Sequence, residues 1–206
     1  MSGAFPIASS KFETMGIKSI QSTIISKSIS GKKLSRTIDS QRWGFTASII
    51  TAKRSDVYGE LMAFIIKQRS GKENFTIIPP EIEDARGSET GSVVVNGVHA
   101  VGDTTIAMDA FAGDGAGRFK AGDFLKFASH TKIYMVVSDV TSSSNAATVT
   151  IEPPLITALA DDSAVTYDNV PFTVHLVNDV QSFGVVGTDK DGNLLYKYEL
   201  DVEETL

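Results

Sequence analysis

The chain contains no cysteine, which excludes disulfides, thiolate-held zinc, iron–sulfur centres and cysteine nucleophiles. Basic charge is also short: 19 Lys and Arg against 25 Asp and Glu leave −6, whereas a protein that grips nucleic acid through its phosphates needs a basic surface. The apolar stretch Met62 to Ile66, in the one plausible helix, is far below the roughly 18 residues that span a bilayer, so a soluble protein with no membrane partner is expected. The N-terminus, MSGAFPIASSKFETMG, lacks an apolar h-region, and Ser2 stands where myristoylation requires glycine, so neither an export nor a lipid address is expected.

What is present reads as a folded chain. Apolar residues at 42% and charged residues at 21% lie away from the disordered class, and 206 residues allow one large domain or two small ones. A helix is expected from Ser55 as N-cap, with Asp56 in its first turn, Lys67 and Arg69 near its end and Gly71 beyond. Its apolar face would hold Val57, Tyr58, Leu61, Met62, Ile65 and Ile66. Elsewhere strand patterns dominate. Trp43, Phe45, Ala47 and Ile49 alternate with smaller or polar residues, as do Leu194, Tyr196, Tyr198, Leu200 and Val202. Pro79-Pro80 and Pro153-Pro154 end apolar runs. Between about 88 and 165, GSVVVNGV, TTIAMDAF, AGDFLKFA, IYMVVSDV and AATVTI are short strand candidates separated by turn residues, a spacing that suggests a small barrel. The flanks would then form one domain interrupted by an inserted one.

Charge is divided along the chain. Residues 1–55 hold nine Lys and Arg against two acids, and 166–206 hold two against eight. Either the two ends balance one another within one domain, or a basic face on one subunit meets an acidic face on the next. Residues 18–40, rich in Ser and Lys and only loosely alternating, are expected to form an edge hairpin or a segment ordered by a partner.

The inventory for chemistry is thin. His99, His130 and His175 have no i, i+4 partner or HExxH setting and are expected to be structural or surface imidazoles. GSETG, at Gly87 to Gly91, places its serine out of register with a nucleophile elbow. AGDGAGRF, from Ala112 to Phe119, leads into a strand rather than a helix and is expected to be a mobile loop, not a phosphate cradle. DKDGN, at Asp189 to Asn193, reads as a hairpin turn out of register with an EF-hand. The carboxylate pairs Glu81 with Glu83, Asp161 with Asp162, and Glu203 with Glu204 are expected to solvate a surface, and Trp43 to anchor a core. No catalytic, cofactor-binding or metal-ligating residue is assigned, no cofactor is expected, and an enzyme is not expected.

The order of segments carries a resemblance. Trp43-Gly44 in QRWGFTASI, the helix, FTIIPP, then KAGDFLKFASHTKIYMVV, and finally VNDVQSFGVVGTDKDGNLLYKYELDVEETL resemble, over roughly residues 36–206, the distal tail proteins of T-five-like long-tailed bacteriophages. The resemblance implies a mainly β fold: a β-sandwich-like ring-forming domain with one α-helix, formed by 1–87 plus 166–206, interrupted by an OB-like barrel at 88–165. It also implies a hexameric ring at the distal end of a phage tail, joining the tail tube protein to the tail-tip hub protein, with tail fibres as a further partner. Viral DNA would pass through its lumen without specific binding, and the virion tail tip would be its location after assembly in the host cytoplasm. The alternative is a carbohydrate-binding module acting through the barrel, motivated by the strand spacing and Tyr134. With four basic and nine acidic residues in 88–165, and Phe111, Phe119, Phe124, Phe127 and Tyr134 in strand patterns, a nucleic-acid groove is not expected there.

Overall fold

The computed structural model describes residues 3–38, 40–80 and 82–206. Its strands are, in order, β1 (Phe12–Ile20), β2 (Thr23–Lys27), β3 (Lys33–Thr37), β4 (Arg42–Lys53), β5 (Phe75–Ile77), β6 (Val94–Val95), β7 (Thr105–Asp109), β8 (Gly115–Ala116) and β9 (Phe124–Phe127). They continue with β10 (Ile133–Val136), β11 (Thr141–Ser142), β12 (Ala147–Glu152), β13 (Val165–Thr166), β14 (Phe172–Leu176), β15 (Gly184–Thr188) and β16 (Leu194–Glu204). The α-helix α1 (Gly59–Lys67) lies between β4 and β5. The protein is mainly β, with one α-helix among the described residues and a small barrel between β5 and β14.

The larger antiparallel sheet runs β1-β4-β16-β14-β5, with β15 on the start of β16. Its buried face follows from period-2 alternation: Trp43, Phe45, Ala47 and Ile49 of β4 and Tyr198, Leu200 and Val202 of β16 all turn to one side. Phe45 meets Phe172 edge to face at 4.8 Å, and Phe172 meets Phe124 of the barrel at 5.6 Å. The same face is covered at its other end by α1, through Leu61 and Ile65, and by the turn that leads into it, through Val57 and Tyr58. The alternation of β16 fades toward its start, where Tyr196 is partly buried and Leu194 exposed.

The helix differs from its sequence expectation at both ends. It is entered through a π-turn at Arg54–Tyr58, and Ser55 bonds Asp56 instead of capping a backbone amide. The buried stripe is narrower than expected, because Ile66 is exposed while Gln68 is buried and donates to the Phe64 carbonyl. Gly71 serves close packing rather than a helix cap: a Cβ there would lie 2.6 Å from the Leu176 carbonyl oxygen.

All five strand candidates of the central stretch contain strands. The sheet β13-β9-β10-β12-β7-β6 curls until its ends meet: Val95 N–H donates to Ser163 O and Val165 N–H to Val93 O, each at 3.0 Å. The result is a nearly closed barrel filled by Val95, Ile106, Met108, Phe119, Leu125, Phe127, Tyr134, Val149 and Ile151. The glycine-rich run does not hang free as expected. Gly115–Ala116 pairs with Thr141–Ser142, and Arg118 N–H donates to the Val140 carbonyl.

His130 is buried in this barrel with its Nδ1 2.9 Å from the Tyr134 hydroxyl, which itself accepts from Ile156 N–H. The Ala158 carbonyl, 3.5 Å from Nε2, can only accept, so in the neutral ring Nε2 carries the proton and Nδ1 accepts from the Tyr134 hydroxyl. Burial pulls the His130 pKa below its usual value, opposed by the Ala158 carbonyl. The folded state therefore binds the proton less readily than the unfolded chain, and stability is lost as pH falls below about 6.5. The thermal midpoint is expected to drop as pH falls below about 6.5, and His130→Gln to flatten that slope. An unchanged slope in the variant would assign it to other groups.

Candidate assembly surfaces

Beyond β1 the chain leaves the sheet as a hairpin. Among the described residues strands β2 and β3 pair with each other and with no other strand, and every residue in both is exposed. Its turn is well built: Gly31 N–H donates to Ser28 O at 2.9 Å, Lys32 N–H to Ser28 Oγ at 3.1 Å, and Gly31 takes the positive φ of 79° that the turn requires. Ile24, Ile25, Leu34 and the tip residue Ile29 are all more than half exposed. A two-stranded hairpin with both faces in water is marginally stable alone, so this element is of the kind that a partner surface completes. The sequence expectation for 18–40 is met as a hairpin.

The charges at the two chain ends are largely paired within the molecule. Across the open face of the large sheet, Lys18 meets Asp201 at 3.1 Å, Arg42 meets Glu203 at 2.7 Å and Lys197 meets Glu13 at 2.8 Å. At the far end Lys53 meets Asp189 at 2.5 Å and, with the Asn193 side chain and amide, holds that carboxyl well below its usual range. The first of the two charge readings therefore accounts for Lys18, Arg42 and Lys53. It does not account for Lys27, Lys32, Lys33 and Arg36, which make no ion pair among the described residues and all lie on the hairpin.

A second constellation joins the barrel to the sheet. Lys132, immediately before β10, is fully buried, with Nζ 2.9 Å from Gln41 Oε1 and 2.5 Å from Glu204 Oε2. Glu204 also accepts from Ile133 N–H at 2.7 Å and from Trp43 N–H at 3.0 Å, while Trp43 Nε1–H donates to the Ile133 carbonyl at 2.9 Å. Burial pushes the Glu204 carboxyl up against the pull of Lys132, and pushes the Lys132 ammonium down. With the ammonium and two amides all donating to Glu204, the hydrogen bonding is that of a carboxylate. Trp43 is thus the core anchor expected of it, packed edge to face on Phe124 at 5.2 Å. Glu204 corrects the expectation for its pair: Glu203 lies toward solvent, but period-2 alternation carries Glu204 inward with Tyr198, Leu200 and Val202.

The remaining sequence candidates do not converge. His99 Nε2 accepts from Ala107 N–H, His175 bonds Thr205 Oγ1, and His130 lies inside the barrel. Among the described residues no three His, Asp or Glu could hold a metal. Glu81 lies outside the described residues, and Glu83 accepts from Ser9. Asp161 accepts from Gly97 N–H, and Asp162 is an exposed turn residue with φ of 60°. DKDGN is a turn: Asp189 Oδ1 accepts from the amides of Asp191 and Asn193, and Gly192 has φ of 81°. Tyr134 corrects the idea that it could stack on a sugar, since it is completely buried and its phenol is pushed up to about 12 by that burial. Phe111, Phe119, Phe124 and Phe127 are likewise buried.

Residues 83–170 match the family model described as the distal tail protein pb9, B domain. The matched segment contains β6 to β13, and so the whole barrel. The match supports a phage distal tail protein, a family whose place is the tail of the virion. No curated protein matches the chain.

Proposed function

We propose that this chain is a structural protein of a phage tail tip, in which copies close into a ring that joins the tail tube to the tip hub. The observation that carries the reading is the family match over the barrel. The hairpin supports the ring: it is preformed, apolar and basic, and it projects from a sheet whose own basic residues Lys18, Arg42 and Lys197 are already paired. A contact in which such an arm docks on a different patch of the next copy is heterologous, the type that closes rings. Six copies is the number that the resemblance implies, and the two domains follow the division 1–87 plus 166–206 and 88–165. The open face of the sheet carries Glu13, Glu199, Asp201 and Glu203 against Lys18, Arg42 and Lys197. A surface of this balance would let DNA slide past without gripping phosphates. The role needs no catalysis, and assembly takes place in the host cytoplasm.

Light scattering on the purified chain tests the reading: a defined oligomer is expected, and labelling of intact particles should place it at the tail tip. A strictly monomeric chain that is also absent from virions would overturn it. Replacing Ile25 and Leu34 together by Asp should disperse the oligomer while changing the unfolding free energy of the monomer by no more than about 0.5 kcal/mol per site, because both side chains lie on exposed strands.

A further inference from the structure

We propose that the hairpin's acceptor is the free edge of β15 on a second copy of this chain, with β2 adding to it as an extra antiparallel or parallel strand. The inference rests on the ring reading and names the surface that would close it.

The edges of the large sheet differ in how they are guarded. Along β5, the N-terminal segment occupies the edge: Phe5 N–H donates to Thr76 O at 2.7 Å, and Thr76 N–H to Gly3 O at 3.0 Å. The free edge strand β1 carries Glu13 and Lys18, charges of the kind that discourage edge pairing. Strand β15, GVVGT, has neither charge nor proline, pairs only with β16, and is exposed at all five residues, with Val185 and Val186 each more than half exposed. One bulge, between Val185 and Gly187, interrupts its pairing. An uncharged strand open on one edge and both faces is a template for another strand. Strand β2 matches it in length, at five residues, and is also β-branched, with Thr23, Ile24 and Ile25.

Charge supports the pairing. Asp179, Asp191 and Glu199, around β15, make no ion pair among the described residues; the cations beside them are Lys190 in the turn and Lys197, which faces Gly184 and is already paired with Glu13. The hairpin brings Lys27, Lys32, Lys33 and Arg36.

The sheet register makes the acceptor a different molecule. The hairpin leaves where Ile20 faces Arg42, at the start of β4, whereas β15 sits where Leu195 faces Lys53, at its end. At about 3.3 Å per residue the two places are roughly 35 Å apart along β4, while five hairpin residues extend only about 17 Å. A donor at one end of the sheet and an acceptor at the other form a head-to-tail contact.

The absence of cysteine makes the test clean. Ile24→Cys or Ile25→Cys is combined with Val185→Cys or Val186→Cys in the full-length chain, so that either register is sampled, and the oligomer is oxidised mildly. At least one combination is expected to give a covalent ladder extending to the size of the ring, since opposite residues of paired strands fall within disulfide distance. The single-cysteine variants are expected to stop at dimers. Val186→Lys, which sets a cation against the cationic hairpin, is expected to weaken the oligomer at low salt, and Val186→Thr to preserve it. An oligomer intact by light scattering that yields no ladder from any combination would overturn the β15 assignment and leave the ring standing. A chain that remains monomeric would overturn both.

Discussion

Lys132→Met is expected to lower the unfolding free energy by about 3–5 kcal/mol, because it strands the fully buried Glu204 carboxylate without its counter-charge. Glu204, at the end of β16, accepts from the barrel side, through Lys132 and Ile133, and from β4, through Trp43. Losing the ammonium therefore weakens the seam between barrel and sheet as well as the chain's total stability. The double variant Lys132→Met with Glu204→Gln should recover about 1–3 kcal/mol of the loss, since the uncompensated charge is gone while one amide still finds a carbonyl acceptor. Denaturant unfolding measures both. A single variant within about 1 kcal/mol of the wild type would mean that Glu204 is already protonated in the native protein, contrary to its three donors.

Gly87→Ala is expected to cost at least about 4 kcal/mol and to abolish soluble barrel. A Cβ at this position would lie 1.9 Å from the Arg118 carbonyl oxygen, 2.6 Å from its carbon and 2.8 Å from Phe119 Cα. All three are backbone atoms, so no side chain can rotate away. The crossing is held shut by Ser88 N–H to Gly117 O at 3.0 Å and Glu89 N–H to Arg118 O at 3.2 Å, next to the backbone of the buried Phe119. Gly31→Ala is the control: its Cβ would meet nothing within 4 Å, so only the positive φ is strained, at about 1 kcal/mol. Comparable loss in both variants would refute the steric account of Gly87.

What the sequence made legible was set by periodicity. The inward rows of β4 and β16 and the short strands between 88 and 165 follow from alternation, because one face of each must be dry. Glu204 was legible by the same rule, one step further along the row from Val202, but adjacent acids invite a surface reading. Lys132 carries no such signal. It joins Glu204 across 72 positions, and no local pattern reports a pairing at that separation. The start of α1 was missed for a different reason: Ser55 has the right chemistry for a cap, but the chain enters through a wider turn that leaves its hydroxyl with Asp56. The hairpin was half legible. Its Lys- and Ser-rich composition marks an exposed element, yet the β15 edge is recognisable only once the strand order is known.

The strands flanking the barrel in sequence are hydrogen-bonded neighbours, with Phe172 facing Ile77 and Val174 facing Phe75. Entry and exit thus lie side by side, and the 83–170 stretch occupies the position of an overgrown hairpin loop. Such a socket can accept a different cassette without disturbing the scaffold, since both ends of the insert are fixed by one strand pair. The constraint on any substitute is local and chemical: it must deliver a cation and a backbone amide to Glu204 and an acceptor to the Trp43 indole.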